Sequence, residues 1–399
     1  MVARRQPLLT PRFLLIVLAG LLYFIAIGML LPVVPLYVEE RLGGSAAAVG
    51  AAVGAIFVGA VVLRPYVGRL GDRIGRRVLI IVGALIIAVT TALSGVVEAL
   101  PFLVGIRLIG GAGEAAFFVG AATMITDLAP VERRGEALSY WSVSIYGGLA
   151  AGPALGEAVL GDDRYTLVFL VAATIAVAAA ALGFGTEEVE RPTGLRPTGP
   201  LWNRAALGPG SVLFLGLAGL AAFLAFARLY ADELGMGGAE AVFLLYGGLV
   251  LCVRIVGARL PDVLGPRRAG TAALVTTAAG MATMAAWRSP VGLLLGTAVF
   301  AAGMSLLYPA LLVLALASAS DAERGSVVGT FSSFFDLSQG LGALMLGGVA
   351  QLTGYRGAFT AAAGLALLGL LVLRVGLGST AMAHPLPRAA SEPAETARA

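Results

Sequence analysis

Three carboxylates interrupt otherwise apolar stretches of the chain: Glu114, Glu157 and Asp336. Asp336 sits in Phe331-Ser332-Ser333-Phe334-Phe335-Asp336-Leu337, without a charged neighbour. A carboxyl taken out of water favours its neutral form, which is what a proton carrier working near neutral pH requires. Asp336 and Glu114 are the leading proton-coupling candidates, and Glu157, nearer the end of its run, ranks third. Two arginines, Arg107 and Arg254, share these apolar stretches. A charge in hydrocarbon costs at least about 2.5 kcal/mol and therefore faces a partner or a wetted cavity. Arg107 and Glu114 stand seven residues apart, two turns along one helix face, and either pair or line a pathway together. Asp336 either carries a proton or is a fixed partner of Arg254, and Glu157 is satisfied by water or by Arg107.

Composition narrows the remaining chemistry. Of 399 residues 59% are hydrophobic and 13% charged, far from the roughly 25% charged residues of soluble domains. All 27 basic residues are Arg, which rules out a P-loop lysine or a Schiff-base lysine. Cys252 is the only cysteine and His384 the only histidine, which leaves no material for disulfides, iron–sulfur clusters, Cys/His zinc sites or His-based triads. The expectation is a protein with no cofactor, no metal and no enzymatic activity. The net charge of +4 is assigned to loops on the cytoplasmic side and not to nucleic-acid binding.

The charged residues must be positioned by membrane spans of about 20 residues. Apolar runs predict twelve, near 12–33, 46–64, 78–97, 101–125, 136–160, 166–185, 211–231, 239–259, 269–287, 289–317, 326–350 and 356–378. A Pro- and Arg-containing polar stretch separates the sixth from the seventh. The expected organisation is a six-helix bundle over 1–185, a cytoplasmic linker over 186–210, a second bundle over 211–380 and a disordered cytoplasmic tail over 381–399. With both termini inside, about twenty arginines fall on the cytoplasmic side and five outside: Arg41, Arg164, Arg228, Arg288 and Arg356. That bias sets the orientation.

The halves repeat at an offset of 190 residues, which carries Arg69, Leu70, Asp72, Gly75 and Arg77 onto Arg259, Leu260, Asp262, Gly265 and Arg267. It also carries Gly113 to Gly303, Ser142 to Ser332 and Gly152 to Gly342. Duplicated halves with a site between them are a transporter architecture.

Gly68-Arg69-Leu70-Gly71-Asp72-Arg73-Ile74-Gly75-Arg76-Arg77 resembles the G-x-L-x-D-R-x-G-R-R/K signature of the major facilitator superfamily. The resemblance implies a cytoplasmic gate in which Asp72 meets the start of span eleven near Gly325 and Ser326, and Arg73 meets Asp127 at the end of span four. Gly68, Gly75 and Arg76 belong to the same gate, with Asp262 in the second copy. Arg107-Leu108-Ile109-Gly110-Gly111-Ala112-Gly113-Glu114-Ala115 resembles the R-x-x-x-G-x-G-x-A motif of proton-coupled members. Gly148, Gly152, Pro153 and Gly156 fit the G-x-x-x-G-P-x-x-G core of the family's drug/proton antiporters, with Glu157 and Ser139 departing from the fuller pattern. There the small residues allow close helix packing, and the proline bends the helix.

The resemblance covers residues 10–378. It implies an all-α membrane protein of twelve helices in two pseudo-symmetric bundles, monomeric in the plasma membrane, which exports a small organic molecule by proton antiport. The run from Phe334 to Gly348 is similar to sugar and metallophore efflux members. The rival expectation is a facilitator or proton symporter that takes up a metabolite. Tyr23, Phe117, Trp141, Tyr146, Arg254, Tyr308 and Phe334 are the candidate substrate contacts, because an apolar cavity with a few polar groups suits an amphipathic solute.

Overall fold

The computed structural model describes residues 8–130, 133–161, 163–188, 202–256, 263–317, 319 and 324–375, without the side chains of residues 65, 68, 72, 134, 135, 139, 324 and 325. The first six helices are α1 (Pro11–Leu36), α2 (Ala46–Ile74), α3 (Arg76–Ser94), α4 (Leu100–Leu128), α5 (Arg134–Leu160) and α6 (Tyr165–Phe184). The second six are α7 (Arg204–Glu233), α8 (Glu240–Val256), α9 (Pro266–Ala286), α10 (Pro290–Leu316), α11 (324–353) and α12 (355–375), the last two joined at Gly354 with φ 76°. A π-turn, Tyr37–Arg41, prolongs α1. Local sequence explains the starts: Thr10, Ser45, Asn203 and Ser289 cap their helices through side-chain oxygens, and proline occupies the first turn of α1, α4, α9 and α10, where its missing N–H costs nothing. Ten stretches of the described residues are long and apolar enough to cross a bilayer. The pair α11–α12 counts there as one stretch, and the seventeen described residues of α8 fall just short.

Two boundaries differ from the sequence expectation. Helix α2 continues ten residues past the expected end at Arg64, so that most of the signature is helical and the chain reverses at Gly75, whose φ of 96° favours glycine. The extension packs inward through Val67 and Gly71, the latter against Leu79. Helix α7 starts at Arg204 rather than 211, because the Asn203 side chain accepts from Ala205 N at 2.9 Å, and the linker is shorter accordingly. The rest of the linker over 189–201, and the tail over 381–399, lie outside the described residues.

The duplication is visible in the packing. Gly75 and Gly265 both take positive φ, 96° and 77°. A Cβ on Gly113 would lie 2.7 Å from Gly83 O, and one on Gly303 would lie 2.8 Å from Ala273 O, the same contact displaced by 190 residues. A Cβ on Gly152 would lie 2.6 Å from Gly28 Cα, and one on its counterpart Gly342 would lie 3.6 Å from Ala218 Cα. The α1–α5 contact is therefore the tighter of the two, and Gly152→Leu is expected to force these helices apart. Overpacking costs about 1–3 kcal/mol or more, so the thermal midpoint of the purified protein should fall by several degrees; an unchanged midpoint would contradict this packing.

The two bundles, α1–α6 and α7–α12, meet along α2–α11 and α5–α8. At the end away from the chain termini, called here the far end, the seam is tight. A Cβ on Gly54 would lie 2.5 Å from Gly340 O, and Gln351 Oε1 accepts from Ala47 N at 3.3 Å. Tyr355 donates to Glu39 at 3.2 Å. Alanine and glycine dominate these faces, which lets two backbones approach closely.

Candidate functional site

Midway along the α2–α11 seam lies an ion triad. Arg64 of α2 holds Glu114 of α4 through NH2 at 3.1 and 3.2 Å from the two carboxylate oxygens, and its Nε reaches Asp336 Oδ2 of α11 at 2.9 Å. The side chains are 10%, 12% and 1% exposed, respectively. Glu114 belongs to the same bundle as Arg64 and Asp336 to the other, so that one guanidinium joins the two bundles. The contact with Asp336 is an ion pair without hydrogen-bond alignment, and Asp336 Oδ1 has no hydrogen-bond partner among the described residues. Two carboxylates share a single cation, which leaves one negative charge in excess if both are ionised. Phe118 covers the guanidinium, 4.8 Å from its ring centroid, an arrangement in which the ring face stabilises the cation.

A second arginine occupies the related place on the other seam. Arg254 of α8 donates to Tyr146 Oη of α5 at 2.8 Å and lies 4.3 Å from that ring's centroid. Adding 190 carries Arg64 onto Arg254, Phe118 onto Tyr308 and Tyr146 onto Asp336. The two contacts, Arg64–Asp336 and Arg254–Tyr146, are therefore copies of one cross-bundle pair, with tyrosine replacing aspartate in one of them. Tyr308 lies within electrostatic reach of Arg64, Asp336 and Tyr146, and hydrogen-bonds Ser332 at 2.9 Å. Counted at 1.5 Å per residue from the far ends of their helices, these residues lie roughly 21–27 Å deep, in one layer.

The structure redraws several expected pairings. Arg107 does not meet Glu114; its Nε donates to Ala52 O of α2, because two turns separate it from Glu114 by about 10 Å along the axis. Asp336 is held by Arg64 and not by Arg254. Glu157 lies near the far end of α5, where Arg228 of α7 reaches it at 3.1 Å and Ala239 N donates to it at 3.1 Å; neither water nor Arg107 is needed. Arg228 also pairs with Asp232. At the terminal end Arg76 Nε approaches Asp127 at 3.6 Å, whereas Arg73 is exposed. Gly68 lies within α2, and the Asp72 side chain and Asp262 lie outside the described residues.

Among the aromatic candidates, Tyr146 and Tyr308 join the layer of charges. Tyr23 and Phe117 are fully buried and stack at 3.7 Å, and Trp141 fills the α1–α5 contact beside Gly20 and Phe24; they form part of the N-terminal bundle's interior. Phe334 packs on Gly210 and borders a groove between α7 and α11 with Ser211, Phe214 and Leu341. Gly148, Gly152 and Gly156 contact α1 at Phe24, Gly28 and Met29, and Pro153 lies between them.

Arg64 and Arg228 are not legible as site residues in the sequence, because both stand at the edges of apolar runs, where an arginine is indistinguishable from a loop residue. The repeat held the missing signal for the first: the offset that relates the signature copies links Arg64 to Arg254, which is plainly within a span.

Two duplicated bundles of apolar helices around a buried, bundle-bridging ion triad define a polytopic integral membrane protein. The profile of the Major Facilitator Superfamily matches residues 16–290 and 255–398, and the chain belongs to that family of transporters, which are not enzymes and which bind small-molecule substrates. It is 30% identical over 371 residues to an uncharacterized MFS-type transporter of Salmonella typhimurium, covering 90% of this chain and 94% of the relative. It is 28% identical over 370 residues to one of Burkholderia mallei, covering 88% and 89%. Similar solved structures include a bacterial homolog of the human lysosomal transporter Spinster, inward-facing and unoccupied (TM-score 0.77, 16% identity, 94% of this chain and 98% of that one). The nucleoside transporter NupG gives a TM-score of 0.74 at 14% identity over 91% and 98%. The human organic anion transporter MFSD10 gives 0.69 at 19% identity over 92% and 100%. At these identities the structures share the fold.

Proposed function

We propose that the protein is a plasma-membrane exporter of a small organic molecule, driven by proton antiport, with both termini in the cytoplasm and the far end outside. The single observation that carries the proposal is Arg64 shared between carboxylates of opposite bundles. A proton on Asp336 removes one half of this bridge and leaves Arg64 paired with Glu114 inside its own bundle. Proton binding thus weakens the seam that must part when access alternates, and proton loss restores it. Glu114 is the second member of the proton site, and Glu157 with Arg228 closes the outer end. Arg76 and Asp127, with the signature residues around Asp72, form the cytoplasmic gate, and Gly148, Gly152, Pro153 and Gly156 provide the surface on which α5 packs against α1. Export over uptake follows the resemblance of that α5 run to drug/proton antiporters.

Everted vesicles provide the test. A resistance screen of cells overproducing the protein first supplies transported compounds. Adding such a compound to acid-loaded everted vesicles should then release protons from the lumen, and Glu114→Gln and Asp336→Asn should each abolish the release. Uptake that ignores the pH gradient would show a facilitator, and protons entering the lumen together with the solute would show a symporter.

A further inference from the structure

The two seams carry opposite unbalanced charges. At the α2–α11 seam two carboxylates, Glu114 and Asp336, face one guanidinium. At the repeat-related place on the α5–α8 seam, Arg254 contacts the neutral Tyr146 and makes no ion pair among the described residues, and its buried Nε has no hydrogen-bond partner there. Tyr146 stands where the other copy has Asp336, so among the described residues this arginine faces a phenol where its counterpart faces a carboxylate. Tyr308 lies within electrostatic reach of Arg64, Asp336 and Tyr146, and Tyr246 within reach of Tyr146 and Arg254. The negative and positive ends therefore lie in one layer of the molecule, with phenolic side chains beside both.

An uncompensated charge at this depth is costly and seeks a partner. A proton neutralises only the carboxylate end. A lone anion on Arg254 would strengthen proton binding at Glu114 and Asp336, so that the two would bind together, against exchange. A lone cation would compete with the proton but leave Arg254 unmatched. The complement of both ends is a dipolar molecule. We propose that the transported solute is amphoteric: its anionic group, a carboxylate or similar oxyanion, seats on Arg254 beside the Tyr146 hydroxyl, and its cationic group competes with the proton at Glu114 and Asp336. This inference rests on the antiport reading above and gives it a substrate class.

Isothermal titration calorimetry of the purified protein in detergent reports binding. The probes are aminocarboxylates of increasing chain length, from glycine to 6-aminohexanoate, with the matched alkylamines and alkylcarboxylates. An aminocarboxylate is expected to bind best. Arg254→Gln should weaken that binding about tenfold to a hundredfold, as loss of a charge-assisted contact implies, while leaving the matched amine's affinity unchanged. Arg254→Lys keeps the charge and controls for folding, and should retain most of the preference. Lower pH should displace aminocarboxylates and amines from the wild type; the Glu114→Gln/Asp336→Asn double variant should lose amine binding, and the aminocarboxylate binding it keeps through Arg254 should not change with pH. Equal affinity for aminocarboxylates and amines in the wild type, binding of none of the probes, or aminocarboxylate binding unchanged in Arg254→Gln would each overturn the proposal. Selective aminocarboxylate binding without proton release from everted vesicles would leave the amphoteric site standing and overturn antiport.

Discussion

Asp336→Asn is expected to abolish accumulation driven by a pH gradient while leaving solute exchange across the membrane in place. Asparagine matches aspartate in size and can still accept from Arg64, but it cannot take up a proton. The substitution also removes the excess negative charge: Arg64 is left facing Glu114 alone, a one-to-one pair that no longer needs a proton for balance. The folded protein should therefore be at least as stable as the wild type, since a buried ion pair contributes little net stability and its removal in a balanced way is often neutral. The measurement is twofold: uptake into everted vesicles with and without a pH gradient, and counterflow of labelled solute against unlabelled. Gradient-driven uptake at the wild-type level in Asp336→Asn would contradict the assignment.

Arg64→Gln should do the opposite to stability. It leaves Glu114 and Asp336 without a cation in a site where Asp336 is 1% exposed, and removing one partner of a buried pair costs about 3–5 kcal/mol. The variant should express poorly or melt many degrees lower in detergent. The loss should be partly recovered in Arg64→Gln/Asp336→Asn, which returns the bridge between the bundles to neutral groups, and largely recovered when Glu114→Gln also removes the remaining unpaired carboxylate. Groups acting as one unit show such non-additivity. Thermal unfolding of the single, double and triple variants measures it directly. A single variant as stable as the wild type, or a double variant no better than the single, would show that the three residues do not act as a unit.

Much of the fold was legible in the sequence because its determinants are local. Apolar length gives the spans, the prolines and polar caps give their starts, and the offset of 190 residues gives the duplication that the Gly113–Gly83 and Gly303–Ala273 contacts display. The extent of α2 was less legible, since Arg69 and Arg73 look like loop residues; their helix persists because Val67 and Gly71 pack inward while the arginines face outward. The candidate site divides along the same line. Glu114 and Asp336 stood out as charges amid apolar neighbours, which is a one-dimensional property. Which arginine meets which acid is a property of helix rotation and of contacts between residues far apart in the chain, such as Arg64 with Asp336 or Glu157 with Arg228. Spacing along one helix pointed Arg107 toward Glu114, whereas a neighbouring helix supplied the partner.

The claim on which the account depends is that Glu114 and Asp336, balanced by one arginine, bind one exchangeable proton. Infrared difference spectroscopy of the purified protein, titrated with pH in the absence of solute, tests it most directly, because a protonated carboxyl has a C=O stretch distinct from that of a carboxylate. The account predicts a titrating band equivalent to one carboxyl per protein that disappears in both Asp336→Asn and Glu114→Gln. A band unchanged in the Glu114→Gln/Asp336→Asn double variant would place the proton elsewhere and contradict the account.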